Sequence, residues 1–329
     1  MAGLPLTINH QPLTIWRKQM SSTTNTRPLL IVGSVALDNV KTPFGDTKEA
    51  LGGAAVYSSI AASFFSPVRL VGVVGNDFPQ KHINFLSSRN IDLAGLQTVD
   101  GKTFRWSGYY EFDLNQAHTT DTQLNVFQHF HPDIPEEYRD SEYVFLANID
   151  PELQLQVLDQ VRNPKLTACD TMNFWIDGKK DALLEVIKRV DVVFMNDAEA
   201  RQLVGSYSLV KAAREISEMG PKAVIIKKGE HGAVMVSDGT FFAAPSYPLE
   251  EVIDPTGAGD SFAGGFIGYL AATDDISEAN LRKATVYGST LASFNVEDFS
   301  LERFSRLAKP EILERYCEFK QIAFFESME

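Results

Sequence analysis

The feature that most restricts this chain is a repeated rhythm in which short, doubly apolar segments alternate with amphipathic ones. LLIVGSVAL (29–37) reads as a first strand buried on both faces and ending at Asp38, and VRLVGVVG (68–75) reads as a second. Between them AAVYSSIAASFF, small and apolar at helical spacing, completes a strand–helix–strand step. The rhythm returns in EYVFLAN, KLTACD, DVVFMN and KAVIIKKG, which alternate with the helical texts PELQLQVLDQV, KKDALLEVIKRV, DAEARQLVG and SLVKAAREISEMG. Only crossover connections join parallel strands, so the fold class implied is α/β, a doubly wound, mainly parallel sheet flanked by helices on both faces.

Three stretches depart from the rhythm. GAVMVSDGTFFAAP places two β-rich runs around Asp238-Gly239, a hairpin signal, and predicts an antiparallel edge. Residues 99–127 alternate aromatic or branched with polar residues and predict paired strands with one exposed face; with 39–51 they are expected to form a small β-strand lid. From Gly257 onward the text is almost wholly helical. No repeat or Pro-rich linker separates a second unit, so residues 28–329 are read as one α/β domain. Residues 1–27, with no acidic side chain and no apolar signal core, are read as a flexible tail, with a targeting segment as the alternative.

Charge and cysteine content narrow the partners. Lys plus Arg number 30 against 43 Asp plus Glu, a formal charge of −13, which argues against a nucleic-acid or anionic-membrane partner, and any anion must be held by local chemistry. The two cysteines, Cys169 and Cys317, lie far apart in no metal-binding context, which suits a reducing, cytoplasmic setting. His129 and His131 are at metal-like spacing without a third ligand nearby.

The strongest chemical signal is Asp254-Pro255-Thr256-Gly257-Ala258-Gly259-Asp260-Ser261-Phe262-Ala263-Gly264-Gly265-Phe266. Small residues at Gly257, Ala258 and Gly259 let backbone N–H groups approach an anion, and the helix that follows aims its positive end at the same point. Asp260, in the first turn of that helix, is expected to be held ionised and able to take a proton from a substrate hydroxyl. An anion cradle beside a base suits phosphoryl transfer. The plain alternative is a Gly-rich turn before an acidic helix start.

The whole string resembles the C-terminal signature of the PfkB, or ribokinase-like, carbohydrate kinase family, and the resemblance extends over roughly residues 28 to 325. It implies an ATP-dependent kinase with Asp260 as base and Gly257–Gly259 as anion hole, Thr256 beside the nucleotide, and a lid over the acceptor. Asn196-Asp197-Ala198-Glu199 is by itself a capping box; beside the signature it resembles the family's Asn-x-x-Glu motif, which implies that Asn196 and Glu199 organise the waters of Mg²⁺. Lys227-Lys228-Gly229-Glu230-His231-Gly232 ends a strand and resembles the family's nucleotide-side Lys-x-Gly segment, which implies Lys227, Gly229 and Gly232 near the phosphates. The resemblance also raises a K⁺ site, with Asp254 as ligand and 292–296 as the neighbouring loop.

Asp38, Gly52 and Gly53 are the candidate acceptor residues: a carboxylate for two hydroxyls and a glycine pair that admits a sugar to the backbone. Ala36 and Tyr57 stand where ribokinases and many relatives carry asparagines, and the loss of both amides argues against ribose or fructose as the specific acceptor. Tyr57 offers a face for a ring or base, Trp106, Tyr109 and Tyr110 are candidates to close over it, and Arg105 suits an acceptor anion or is simply a strand charge. The reading reached is a kinase for a small sugar or polyol, with a nucleoside kinase of the same fold as the alternative and a non-catalytic sensor as the alternative of another class. Pairing of two lids would make a homodimer. Neither GxGxxG after the first strand nor GxxxxGK[ST] is present, which argues against the remaining rival, a nicotinamide-dependent oxidoreductase on a doubly wound sheet.

Overall fold

The computed structural model describes residues 27–324, so the tail expected at 1–27 lies almost wholly outside the described residues. The amino-terminal part runs β1 (Leu29–Val32), β2 (Ala36–Thr42), β3 (Gly45–Gly52), α1 (Ala54–Ser63), β4 (Val68–Gly75), α2 (Gln80–Ser88), β5 (Ile91–Val99), β6 (Phe104–Tyr110) and β7 (Ala117–Gln123). The middle runs β8 (Tyr143–Leu146), α3 (Pro151–Gln160), β9 (Leu166–Asp170), α4 (Asn173–Gly178), α5 (Lys180–Arg189), β10 (Val192–Asn196), α6 (Asp197–Val204), α7 (Leu209–Ser217) and β11 (Ala223–Lys227). The hairpin β12 (Ala233–Ser237) and β13 (Thr240–Ala244) then leads to α8 (Ala258–Thr273), α9 (Glu278–Asn295), α10 (Glu302–Arg306) and α11 (Lys309–Ile322).

Nine strands form the main sheet in the order β13-β12-β11-β10-β9-β8-β1-β4-β5. All neighbours are parallel except at the β11-β12-β13 edge, where Asp238 (φ 47°) and Gly239 (φ 73°) make the predicted hairpin turn. Buried strands show their residues alternately to two apolar layers: Leu29 and Ile31 face the layer under α1, α8 and α9, whereas Leu30 and Val32 face the layer under α3, α5 and α7. Both layers exclude water, which is why the strands read as unbroken apolar runs.

One expectation is overturned here. LLIVGSVAL is not one strand: β1 stops at Val32, and after Gly33–Val35 the chain leaves the main sheet to enter a second, four-stranded sheet ordered β3-β2-β6-β7. Asp38 therefore lies inside a strand of the small sheet rather than at the end of a central strand. Space is tight at the break, because a Cβ at Gly33 would sit 2.7 Å from Ala147 Cβ, just past the end of β8, and 3.1 Å from Ala55 Cβ in the first turn of α1. The edge strand β5 and the helix before it carry too weak a pattern to be read from sequence; β5 is buried only at Ile91 and Gly95.

Packing of α1 on α8 fixes the later helix. Its buried face is nearly all small, and Cβ atoms at Gly264 and Gly268 would fall 2.2 Å from Ser58 O and 2.7 Å from Ala62 Cα. The two backbones thus touch, and the amino end of α8 is held beside the start of α1.

Candidate active site

The carboxyl ends of β9, β10 and β11 and the amino end of α8 meet in one cleft, where open α/β sheets place their ligands. Gly257 caps α8 in the left-handed region (φ 75°, ψ 2°), and a Cβ there would strike the Tyr57 ring at 2.3 Å. The turn is held from below by Asp254, fully buried, whose Oδ1 accepts the Thr256 N–H at 2.9 Å and whose Oδ2 accepts the Ser300 N–H at 3.1 Å. Among the described residues no protein acceptor takes the N–H groups of Gly257, Gly259 or Asp260.

Ala258 departs from expectation. Its N–H donates to Pro255 O at 3.1 Å, closing the turn, so the three amides open to an anion are those of Gly257, Gly259 and Asp260. The cradle is shifted by one residue from the one read in the sequence.

Charge around this turn is unbalanced. Lys227, ending β11, pairs with Asp170, ending β9, at 2.6 Å, and its Nζ lies 3.0 Å from where a Cβ on Gly259 would stand. Asp260 and Glu199 complete the cluster. Burial and then the charge of Asp170 push Asp260 up to about 7, against the pull of Lys227. Glu199, buried, is pushed up to about 7 for the same two reasons. The helix end thus does not keep Asp260 fully ionised as expected: desolvation and a like charge outweigh it. Three carboxyl groups against one ammonium make a surplus that a divalent cation would offset, and the open amides suit a polyphosphate, so the residues fit MgATP. No three metal-ligating side chains converge among the described residues, so a Mg²⁺ ion bound with the nucleotide would need to keep several waters; His129 and His131 are exposed.

Asn196 and Glu199 do form the capping box: Asn196 Oδ1 accepts the Glu199 N–H and Glu199 Oε2 accepts the Asn196 N–H, each at 2.8 Å. Glu199 Oε1 and Asn196 Nδ2 remain for other work. Gly229 lies in the turn after β11, where a Cβ would be 2.9 Å from Asn115 Oδ1, so the β6–β7 loop reaches the nucleotide side. Gly232 is close-packed on the backbone of Ala244 to Ser246.

Asp38 faces the turn from the small sheet. It is buried, and its carboxylate lies over Gly52, where a Cβ would collide with Oδ2 at 1.8 Å. Burial, then the charge of Asp254, push it up to about 7. Gly53 caps α1 at φ 96°. Trp106 pairs in register with Asp38 and shares its face of the sheet, as does Tyr110 four residues on, whereas Tyr109 points the other way and stacks on His118. Tyr110 OH meets Thr256 Oγ1 at 3.3 Å, which joins the small sheet to the turn.

Two acceptor residues are reassigned. Tyr57 is 2% exposed with its ring against Gly257, so it supports the turn and has no free face for a ligand. Arg105 is neither an anion site nor an exposed charge: it gives two 2.9 Å bonds to Glu49, pairs with Asp77 at 2.9 Å and donates to Thr103 O, tying the small sheet to the loop after β4. Around the expected K⁺ site, Asp254 Oδ1 and Oδ2 each accept one N–H, Thr256 O accepts Asn295 Nδ2 at 2.7 Å and Val296 O accepts the Ile253 N–H at 2.8 Å, and each of these oxygens keeps a further lone pair.

The family model of the pfkB family carbohydrate kinases matches residues 33–305. The chain belongs to this family. It is an ATP-dependent kinase that acts on a small-molecule hydroxyl. Cytidine kinase of Thermococcus kodakarensis is 36% identical over 245 residues, covering 73% of this chain and 87% of that protein. The Methanocaldococcus jannaschii nucleoside kinase structure superimposes with a TM-score of 0.73 at 23% identity, covering 89% of this chain and 98% of that one. The Burkholderia thailandensis nucleoside kinase in complex with inosine gives 0.72 at 20% identity, covering 90% and 98%. No helix among the described residues of this PfkB kinase is long and apolar enough to cross a membrane.

Proposed function

We propose that this kinase phosphorylates a nucleoside, with a pyrimidine nucleoside such as cytidine as the first acceptor to test. The observation that carries the reading is the half-buried Trp106 set in register against Asp38, with Tyr110 on the same face: a carboxylate for sugar hydroxyls beside an aromatic wall for a base. The similarity to a cytidine kinase and to nucleoside kinases supports the same choice.

When bound, MgATP supplies the γ-phosphoryl group and screens its charge. Asp38 holds the acceptor hydroxyls, and the small sheet acts as the lid that excludes water. The Asp260 carboxylate receives the proton of the attacking hydroxyl, and the amides of Gly257, Gly259 and Asp260 face the charge that develops on the transferred group. Lys227 and Glu199, with Asn196 Nδ2, line the phosphate side, Glu199 through the water shell of Mg²⁺, and Gly229, Gly232 and Thr256 shape the nucleotide's edge.

Release of ADP from MgATP with a panel of nucleosides, free sugars and polyols tests the reading. A nucleoside should exceed ribose, fructose and inositol in kcat/KM by at least about tenfold, and Trp106→Ala should raise the nucleoside KM by about 5- to 150-fold, the worth of one base–aromatic stack. A free sugar as the best acceptor, with Trp106→Ala silent, refutes it.

A further inference from the structure

Asp170, the ion-pair partner of Lys227, has no part in the scheme above, yet the two form the most enclosed charge pair of the cleft. Asp170 side-chain exposure is 4% and that of Lys227 is 16%, and the two meet at 2.6 Å across the end of β10. The register puts Asp170 opposite Phe194 and Lys227 opposite Asn196, so the ammonium must reach back over the one strand between them, β10, to find its partner. In doing so it lies against Gly259, at the edge of the open amides. A free lysine of this length has three donors and four rotatable bonds; one carboxylate at this position removes that freedom. Among the described residues no other ion pair has a partner as little exposed as Asp170; the next most enclosed, Arg303 and Arg315 with Glu297, lie on the helical side of the chain.

We propose that Asp170 is a positioning residue for phosphoryl transfer, fixing the Lys227 ammonium beside Gly259 so that a fixed positive charge meets the incoming phosphates. The proposal rests on the kinase reading. The groups that face Asp260 are Asp170 from β9, Lys227 from β11, Glu199 from α6, and Asp38 and Tyr110 from the small sheet, so removing Asp170 changes a defined electrostatic set. Lys227 is held above the usual lysine range against the effect of its burial, and the charge of Asp170 is the largest cause that raises it, ahead of Glu199. Without Asp170 the ammonium keeps its burial and loses its main partner. Asp260 at the same time loses the like charge that raises it most.

Asp170→Asn, which keeps the shape, is therefore expected to move both limbs of the kcat/KM–pH profile to lower pH, the basic limb by about one to three pH units. Asp170→Glu should restore the basic limb. A readout free of turnover is the titration of the Lys227 ε-methylene by carbon NMR in the nucleotide-free protein, assigned with Lys227→Met: its midpoint should fall in Asp170→Asn by the same interval. In the Lys227→Met background, Asp170→Asn should lower kcat by less than about threefold further, because its partner is already gone. A uniform loss of kcat/KM at all pH values with an unmoved Lys227 titration would overturn the proposal and leave Asp170 as a purely structural residue. Wild-type protein inactive on the whole acceptor panel but with a Lys227 titration that follows Asp170 would instead overturn the kinase reading of the site and keep the ion-pair geometry.

Discussion

Gly257→Ala tests the anion turn with the least chemical change. At φ 75° an alanine pays about 1–2 kcal/mol for the left-handed backbone. The larger effect is steric. The new methyl group would begin 2.3 Å from Tyr57 Cγ and must reach ordinary contact near 3.4 Å, so the turn has to retreat by about 1 Å. Tyr57 has no room to yield, being 2% exposed on a helix whose next residue, Ser58, touches the α8 backbone. A 1 Å displacement of the Gly257 and Gly259 donors is worth about a hundredfold, and loss of one donor about 10²–10³ in kcat. We therefore expect kcat to fall by about 10²–10³, measured as ADP release at saturating acceptor, while the KM for MgATP changes less. Gly239→Ala is the matched control: it has a similar φ of 73° in open space at the far hairpin, so it pays the backbone term alone and should leave kcat intact. If Gly257→Ala retains kcat within about threefold of wild type, or loses no more than Gly239→Ala, the turn is not the phosphoryl cradle.

The remaining predictions concern charge. Asp260→Asn should fold and bind nucleotide while losing at least about a hundredfold in turnover, the scale of a general base; near-normal turnover refutes its role. Because Asp260 is pushed up to about 7 and must be ionised to act, kcat/KM should fall as pH drops below about 7, steeply if Asp38, also near 7, must be ionised with it. The stability of the nucleotide-free protein should run the other way: Asp38 and Glu199 bind protons more tightly folded than unfolded, so Tm should decline as pH rises from 5.5 to 8, and a rising Tm over that range contradicts the buried cluster. Arg105→Ala should cost about 2 kcal/mol and raise the acceptor KM more than it lowers kcat, since it loosens the sheet that carries Asp38 and Trp106; Arg105→Lys, which cannot bridge Glu49 in two bonds, should restore little.

What could be read from the chain and what could not follows the range of the forces involved. The main sheet was legible because burial on two faces stamps an unbroken apolar run on each central strand, and the Asp238-Gly239 hairpin because a primed turn demands its own residues. β5 was not, since an edge strand covered on part of one face carries no such stamp. The division of LLIVGSVAL between two sheets was hidden, and the tight contact at the break is of Gly33 with Ala147, more than a hundred residues away.

The site shows the same split. Backbone-determined parts, the glycine turn before α8 and the Asn196–Glu199 box, were visible as local patterns. Roles set by what lies across the cleft were not. Tyr57 looked like a platform until Gly257 was found on its face, Arg105 like an anion site until Glu49 and Asp77 were found around it, and Asp170 like the plain end of a strand until Lys227 met it. The only local signal for Asp170 was a charge closing a short buried strand, as Asn196 and Lys227 close the next two strands of the sheet, β10 and β11. Such a charge is tolerated at 4% exposure only if a partner reaches it, and the same burial is what raises Asp260 toward neutrality. The cost of enclosing these charges in the nucleotide-free protein and the reactivity of the base thus have one cause, which is why a variant that relieves the cluster should gain stability at high pH as it loses turnover.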